Sequence, residues 1–199
     1  MTERNVLLFD LGGVLLRLNG HSATFGLQFD DSEFLSRWIR SPAVREFERG
    51  AIEAESFAKS VVIEAGLPYD WREFLERFHA WPDELYPGTI DLLDSISPRY
   101  QRALLSNTNA IHWRRDGVAN KLEGRFDHVF LSYKTGRLKP DRDAFEMVQE
   151  ELGCSAHQIV FFDDNPANIA AAKEFGCQSV LTMGGDELRT SLQKLGVIT

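Results

Sequence analysis

Four short segments carry side chains that could do chemistry together. They are Phe9-Asp10-Leu11-Gly12-Gly13-Val14, Leu105-Ser106-Asn107-Thr108-Asn109, Lys139-Pro140 and Phe161-Phe162-Asp163-Asp164-Asn165. Asp10, Asp163 and Asp164, if brought together, would repel one another, and at least one pKa would rise unless a cation neutralised them. Hard oxygen donors of this kind suit Mg²⁺, which takes one or two carboxylates together with substrate phosphate oxygens. Lys139 and Ser106 add donors for an anion, and Gly12 and Gly13 would let backbone N–H groups approach it closely. A carboxylate held beside Mg²⁺ and a phosphoryl group can act as a nucleophile and form an aspartyl-phosphate. Each segment alone also has a plain structural reading. Asp10 could cap a turn, Ser106-Asn107 could cap a helix, Lys139 could be a solvated charge, and Asp163-Asp164-Asn165-Pro166 could simply start a helix. Their order, one segment at each strand end, is what joins them.

The elements that must position these residues are legible too. Val6–Phe9, Ala103–Leu105, Val129–Leu131, Ile159–Phe162 and Val180–Leu181 are short runs apolar at every position. Such runs fit strands covered on both faces, as in a parallel sheet. Pro140-Asp141 opens a helical pattern through Phe145, Val148 and Leu152, with Gly153 where a closing glycine belongs. Asn165 as N-cap with Pro166 behind it opens a second helix that runs to Gly176. The alternation implies an α/β fold, a three-layer, Rossmann-like, doubly wound parallel sheet built from residues 1–16 and 85–199. Ligands of such sheets bind beyond the carboxyl ends of the strands, where all four segments fall. Residues 17–84 differ: Phe34, Leu35, Trp38, Ile39, then Phe57, Val61, Val62, then Phe74, Leu75, Phe78 recur at helical spacing with no convincing strand. This block reads as an inserted α-helical unit that could form a lid.

Composition narrows the function classes. The chain has 199 residues, 43% hydrophobic and 26% charged, which is ordinary for a globular protein able to bury a sizeable core without disulfides or a structural metal. Its 22 basic and 30 acidic side chains give a net charge of −8, which argues against a nucleic-acid partner. Cys154 and Cys177 form no metal-binding pair and read as core thiols of a reduced, cytoplasmic protein. The apolar run Val6–Leu16 is interrupted by Asp10 and two glycines and is too short to span a bilayer, so no membrane partner is expected. Oligomeric state is left open.

The four segments in this order resemble the motifs of the haloacid dehalogenase superfamily, mostly Mg²⁺-dependent phosphatases, and the helical insertion resembles that family's small α-helical cap. Phe47-Glu48-Arg49-Gly50, together with Leu105–Asn109 and Phe161–Asn165, resembles the branch containing α-D-glucose-1-phosphate phosphatases. The resemblance implies Asp10 as nucleophile and metal ligand and Gly12 as a carbonyl ligand. It implies Asp164 as the direct metal carboxylate and Asp163 as a ligand through water or from behind. Ser106 and Asn107 would bind phosphoryl oxygens, and Lys139 would offset charge on Asp10 and the phosphate. Glu48 and Arg49 would reach the substrate from the cap. Trp71, Phe74, Phe78 and Trp81 read as packing within the insertion, and Trp113-Arg114-Arg115 could rim the pocket.

One position departs from the pattern. The family usually has a second Asp two residues after the nucleophile to protonate the leaving oxygen, and here Gly12 stands there. A positioned general acid is worth about 10²–10⁴-fold in rate. Three explanations stand open: a better leaving group such as the hemiacetal oxygen of a sugar 1-phosphate, a substitute acid such as His21 or Glu48, or a weak or inactive phosphatase. Two other functions stay open, although the paired carboxylates Asp163-Asp164 favour phosphate over the first. A metal-independent haloacid dehalogenase needs no proton for its halide, and a phosphosugar-binding domain needs no turnover.

Overall fold

The computed structural model describes residues 6–26 and 31–198. Seven strands are present among them: β1 (Val6–Phe9), β2 (Leu16–Leu18), β3 (Pro82–Leu85), β4 (Gln101–Ser106), β5 (His128–Leu131), β6 (Ile159–Asp163) and β7 (Gln178–Leu181). Five of them form one parallel sheet in the order β5-β4-β1-β6-β7.

The apolar strands explain the three layers. Leu7, Phe9, Leu104, Val160 and Phe162 enter one apolar cluster, while Val6, Leu8, Ala103, Leu105, Ile159 and Phe161 enter another. Successive residues therefore point to opposite faces, and each face is covered by helices. The remaining two strands, at the edges, depart from that expectation: Val129 in β5 is 43% exposed and Leu181 in β7 is 51% exposed, because nothing covers the outer side of an edge strand.

Between β2 and β3 lie five helices: α1 (His21–Phe25), α2 (Asp31–Arg40), α3 (Pro42–Glu48), α4 (Ala54–Ala65) and α5 (Trp71–Ala80). Ser41 caps α3 by accepting the Val44 N–H, and Asp70 caps α5 by accepting from the Arg72 and Glu73 N–H groups. Their inner faces bury Phe25, Trp38, Phe47, Phe57, Phe74 and Phe78 in a cluster of their own. The helical periodicity read for Phe34, Trp38, Phe57, Val61, Phe74 and Phe78 matches this cluster, whereas Ile39 is exposed. The side chain of Leu35 lies outside the described residues.

The expectation that residues 17–84 hold no strand needs correction. β2 and β3 pair antiparallel, Leu16 with Leu85 and Leu18 with Pro82, so the chain enters and leaves the helical block through one small ladder. At three and four residues these strands are too short for an alternating pattern to show. The seven helices that follow are α6 (Thr89–Asp94), α7 (Ala110–Trp113), α8 (Val118–Leu122), α9 (Ser132–Thr135), α10 (Arg142–Leu152), α11 (Pro166–Phe175) and α12 (Gly184–Lys194). Leu92, Val118, Leu122, Leu188 and Leu192 from α6, α8 and α12 cover one face of the sheet, and Phe145, Val148 and Ala172 from α10 and α11 cover the other. No helix among the described residues is long and apolar enough to cross a membrane.

Candidate active site

Sheet topology brings the key carboxylates together. From β1 the chain builds outward through β4 and β5, then returns to place β6 and β7 on the other side. The order therefore reverses between β1 and β6, where a crevice opens at the strand ends. Phe9 pairs with Phe162, and the Asp10 N–H donates to the Phe162 carbonyl at 2.9 Å, so Asp10 and Asp163 emerge side by side. One ligand atom from each of Asp10, Asp163 and Asp164 lies within 4.8 Å of the others.

Lys139 reaches this cluster from the segment between α9 and α10. Its ammonium, 1% exposed, stands 2.8 Å from Asp10 Oδ1 and 2.6 Å from Asp163 Oδ2. Asn107 holds the lysine in place: its Nδ2 donates to the Lys139 carbonyl at 2.8 Å and its Oδ1 accepts the Lys139 N–H at 2.9 Å. Asn107 therefore has a second task beside the expected contact with phosphoryl oxygens: its amide positions Lys139 and keeps one proton for the cavity that it lines. Ser106 ends β4, 2% exposed, and its hydroxyl is engaged by no other described residue.

The three aspartates are not equivalent. Asp163 is fully buried, accepting from the Asn165 N–H, from Asn168 Nδ2 on both oxygens, and from Lys139. These contacts occupy both of its carboxylate oxygens. Asn168, unnoticed in the sequence, has a signal in retrospect: it sits one helical turn beyond Asp164, at the start of α11, where a side chain can turn back to the strand end. Asp10 is pinned through Oδ1 by the Leu11 N–H at 2.7 Å and by Lys139, which leaves Oδ2 open.

Electrostatics makes the cluster a cation site. Burial pushes the Asp10 carboxyl up to about 8; Asp163 and Asp164 push the same way against the opposing pull of Lys139. Burial, with Asp163, lifts Asp164 to about 6. Burial alone would lower Lys139, but the two carboxylates outweigh it and its pKa is raised. One ammonium cannot balance three carboxylates, and a divalent cation with a preference for hard oxygens would. Asp10 Oδ2, the Asp164 carboxylate and the Gly12 carbonyl fit that role. The Leu11 and Gly13 carbonyls accept backbone hydrogen bonds, from Leu15, Leu16 and Gly184, whereas Gly12's accepts none among the described residues.

Gly13 serves differently from expectation. Its N–H donates to the Leu16 carbonyl at 2.8 Å, so it does not face an anion. What it provides is room: φ is +74°, and an added Cβ would fall 2.0 Å from Asp164 Oδ2. Gly13→Ala is therefore expected to displace Asp164 and weaken Mg²⁺ binding at least about tenfold, since metal sites lose 10–100-fold even from disturbed supporting groups. Titration calorimetry with MgCl₂ checks this, and unchanged affinity would contradict the geometry.

A cavity of about 590 Å³ opens above the cluster, lined by Asp10, Asp164, Lys139 and Asn107 on the sheet side and by Trp38, Val44, Arg45 and Glu48 from the helices. The four residues Phe47 to Gly50 divide the work there. Phe47 stacks on Phe57 with ring centroids 4.2 Å apart, anchoring α3 in the aromatic cluster. Glu48 lines the cavity, half-buried, and burial raises its pKa to about 7 against the pull of Lys139 and Arg45. Gly50 lets the chain touch α9, because a Cβ there would lie 2.4 Å from the Tyr133 carbonyl oxygen. Arg49 does not line the cavity; it pairs with Asp141 at 2.7 Å, correcting its assignment to substrate. Arg45, one turn before Glu48, pairs with the same carboxylate at 2.7 Å and does line the cavity. Its spacing of three residues from Glu48 could have revealed it.

The other candidates fall elsewhere. Trp81 touches the cavity while Phe74 and Phe78 stay inside the helical cluster, and Trp113-Arg114-Arg115 lie outside the lining. The side chain of His21 lies outside the described residues.

A family model described as haloacid dehalogenase-like hydrolase matches residues 5–176. The chain is 24% identical over 197 residues to a D-ribitol-5-phosphate phosphatase of Bacteroides thetaiotaomicron, covering 94% of this chain and 95% of that protein. It is 26% identical to flavin mononucleotide hydrolase 1 of Arabidopsis thaliana, covering 96% of this chain and 78% of that one. It is also similar to a crystal structure of a haloacid dehalogenase family enzyme from B. thetaiotaomicron, an aspartate-to-alanine mutant in complex with magnesium and inorganic phosphate. That match has a TM-score of 0.71 and 26% identity, over 92% of this chain and 96% of the other.

Proposed function

The chain belongs to the haloacid dehalogenase-like hydrolases, and within that family we propose that it is a Mg²⁺-dependent phosphatase of small phosphate monoesters, sugar phosphates such as glucose 1-phosphate among them. The observation that carries this reading is the buried cluster of Asp10, Asp163 and Asp164 around Lys139, with Asp10 Oδ2 open to the cavity. Three crowded carboxylates weigh against metal-independent dehalogenation, in which the Lys139 ammonium alone would have to balance them. Arg45 and Asn107 offer hydrogen bonds to substrate hydroxyls, and the named substrate of the B. thetaiotaomicron relative is a sugar-alcohol phosphate. The free thiols of Cys154 and Cys177 fit a cytoplasmic enzyme.

In this mechanism Asp10 Oδ2 attacks phosphorus, the bond to the ester oxygen breaks, and the departing oxygen takes up a proton. Water then attacks the aspartyl-phosphate at phosphorus, releasing inorganic phosphate and restoring the Asp10 carboxylate. Lys139 holds Asp10 in position and, with the Ser106 hydroxyl, offsets charge on the phosphoryl oxygens. Magnesium, when bound, neutralises the carboxylates and phosphoryl oxygens and holds them in register. The helical block, residues 17–84, serves as a cap that excludes water from the site.

A second class of substrate has its own support. Leu18, Trp38, Ile39, Trp81 and Met183 form an apolar wall of the cavity, suited to a flat or greasy leaving group such as a flavin. Phosphate release from glucose 1-phosphate, glucose 6-phosphate, FMN and an aryl phosphate, each with Mg²⁺ and with EDTA, separates these readings. Mg²⁺-dependent release that favours the sugar esters is the expected result. Preference for FMN would replace the substrate class, and release from none of the four, or release that survives EDTA, would overturn the proposal.

A further inference from the structure

Gly12 leaves the leaving oxygen without the acid that usually follows the nucleophile by two residues. We propose that Glu48, on α3 of the helical block, donates that proton, a role that rests on the phosphatase reading above.

Glu48 lines the same cavity as Asp10, Lys139 and Asp164. Its neighbours on the helix, Arg45 and Arg49, are both drawn to Asp141, and Glu48 itself makes no hydrogen bond or ion pair among the described residues. A half-buried carboxyl that no cation or backbone group holds is available to a ligand. Its position is also firm, because Phe47 is locked on Phe57 and Gly50 is pressed against Tyr133 on either side.

The charges that act on it are Lys139 and Arg45, which favour its ionised form, and the carboxylates of Asp10 and Asp164 line the same cavity. Burial outweighs the cations, so much of the carboxyl is protonated at neutral pH. The alternatives are poorer acids. Lys139 is held by two carboxylates, and Tyr86, which lines the cavity, has its hydroxyl pKa raised by burial and by Asp164.

The step balances. As the P–O bond breaks, its electron pair goes to the ester oxygen, which takes the Glu48 proton and leaves Glu48 as carboxylate. When water attacks the aspartyl-phosphate, its proton returns to Glu48.

Glu48→Gln keeps the shape and removes the acid. A donor of protons matters in proportion to the basicity of the leaving group. The kcat/KM for an alkyl ester such as glucose 6-phosphate should therefore fall about 10²–10³-fold, whereas that for 4-nitrophenyl phosphate, whose phenolate leaves unaided, should change less than about threefold. The aryl ester also reports that the variant is folded and binds metal. An equal fall on both esters, or no fall on either, would overturn the assignment of Glu48. A wild-type enzyme silent on every ester would instead overturn the phosphatase reading itself, and the role of Glu48 with it.

Discussion

Asp10→Asn should abolish phosphate release, by at least about 10⁴-fold, because loss of a nucleophile that acts with its neighbours as a unit removes nearly all catalysis. Its fold should survive. Asn keeps an oxygen for the Leu11 N–H, and Lys139 keeps its 2.6 Å contact with Asp163. The metal-free variant should also be at least as stable as wild type. Burial and the charges of Asp163 and Asp164 raise the Asp10 carboxyl to about 8, so its ionised form is disfavoured in the folded protein. A neutral amide removes that conflict. Malachite-green phosphate assays and thermal melts in EDTA read the two halves separately. Turnover within a hundredfold of wild type would refute Asp10 as nucleophile. A lower melting temperature without metal would show that the cluster is held by attraction that the amide cannot replace.

The sheet and its catalytic edge were legible because their signals are local. Val6–Phe9 and Ile159–Phe162 are apolar at every position, which only a strand buried on both faces requires, and the chemistry-bearing residues follow each strand directly. Asn165-Pro166 and Gly153 mark helix ends by backbone chemistry that needs no partner elsewhere. What stayed hidden depends on pairing across the chain. β2 and β3 are too short for periodicity and exist because Leu16 meets Leu85 some seventy residues on. Asn107 and Lys139 are 32 residues apart, and neither residue's type reveals that the amide holds the backbone of the lysine. Arg49 was misplaced for the same reason: a charged residue beside Glu48 suggests substrate, and only the fold shows Asp141, 92 residues away, waiting for it. The sequence suggests a role for the Gly13 N–H, whereas the structure uses its missing side chain.

These long-range contacts also explain how the helical block is held over the site. Arg45 and Arg49 both converge on Asp141, two residues beyond Lys139, so the segment that places the Lys139 ammonium in the cluster is the one that the helical block grips. Gly50 against the Tyr133 carbonyl adds a backbone contact beside them. Asp141 is about one-third exposed, so the ion pairs guide docking more than they stabilise it.

A more enclosed contact does more, and it gives the largest expected stability effect. His112 on α7 reaches across to α5, where its Nε2 lies 2.8 Å from the Phe78 carbonyl, and its ring packs on Phe78 with centroids 4.1 Å apart. Asn109 Nδ2 stands 3.1 Å from Nδ1, so the hydrogen-bond network assigns the proton to Nε2, which donates to the carbonyl. Burial lowers the ring's pKa to about 4; the Phe78 carbonyl opposes this, and Arg115 and His79 add to it. In the unfolded chain an imidazole titrates near 6.5. Between those values the unfolded chain binds a proton that the folded protein refuses. The stability from a neutral His112 is therefore complete above pH 6.5 and is lost as the pH falls toward 4. The gap corresponds to about 3 kcal/mol. The raised Asp10 and Asp164 act with the opposite sign, gaining stability as the pH falls, so the wild-type profile alone would mix the two. His112→Gln separates them, because its amide can still donate to Phe78 but does not titrate. Urea melts at pH 7 and pH 4.5 should show the variant losing about 2 kcal/mol less than wild type on acidification. Parallel losses in both proteins would mean that His112 takes up its proton without leaving its place between α7 and α5.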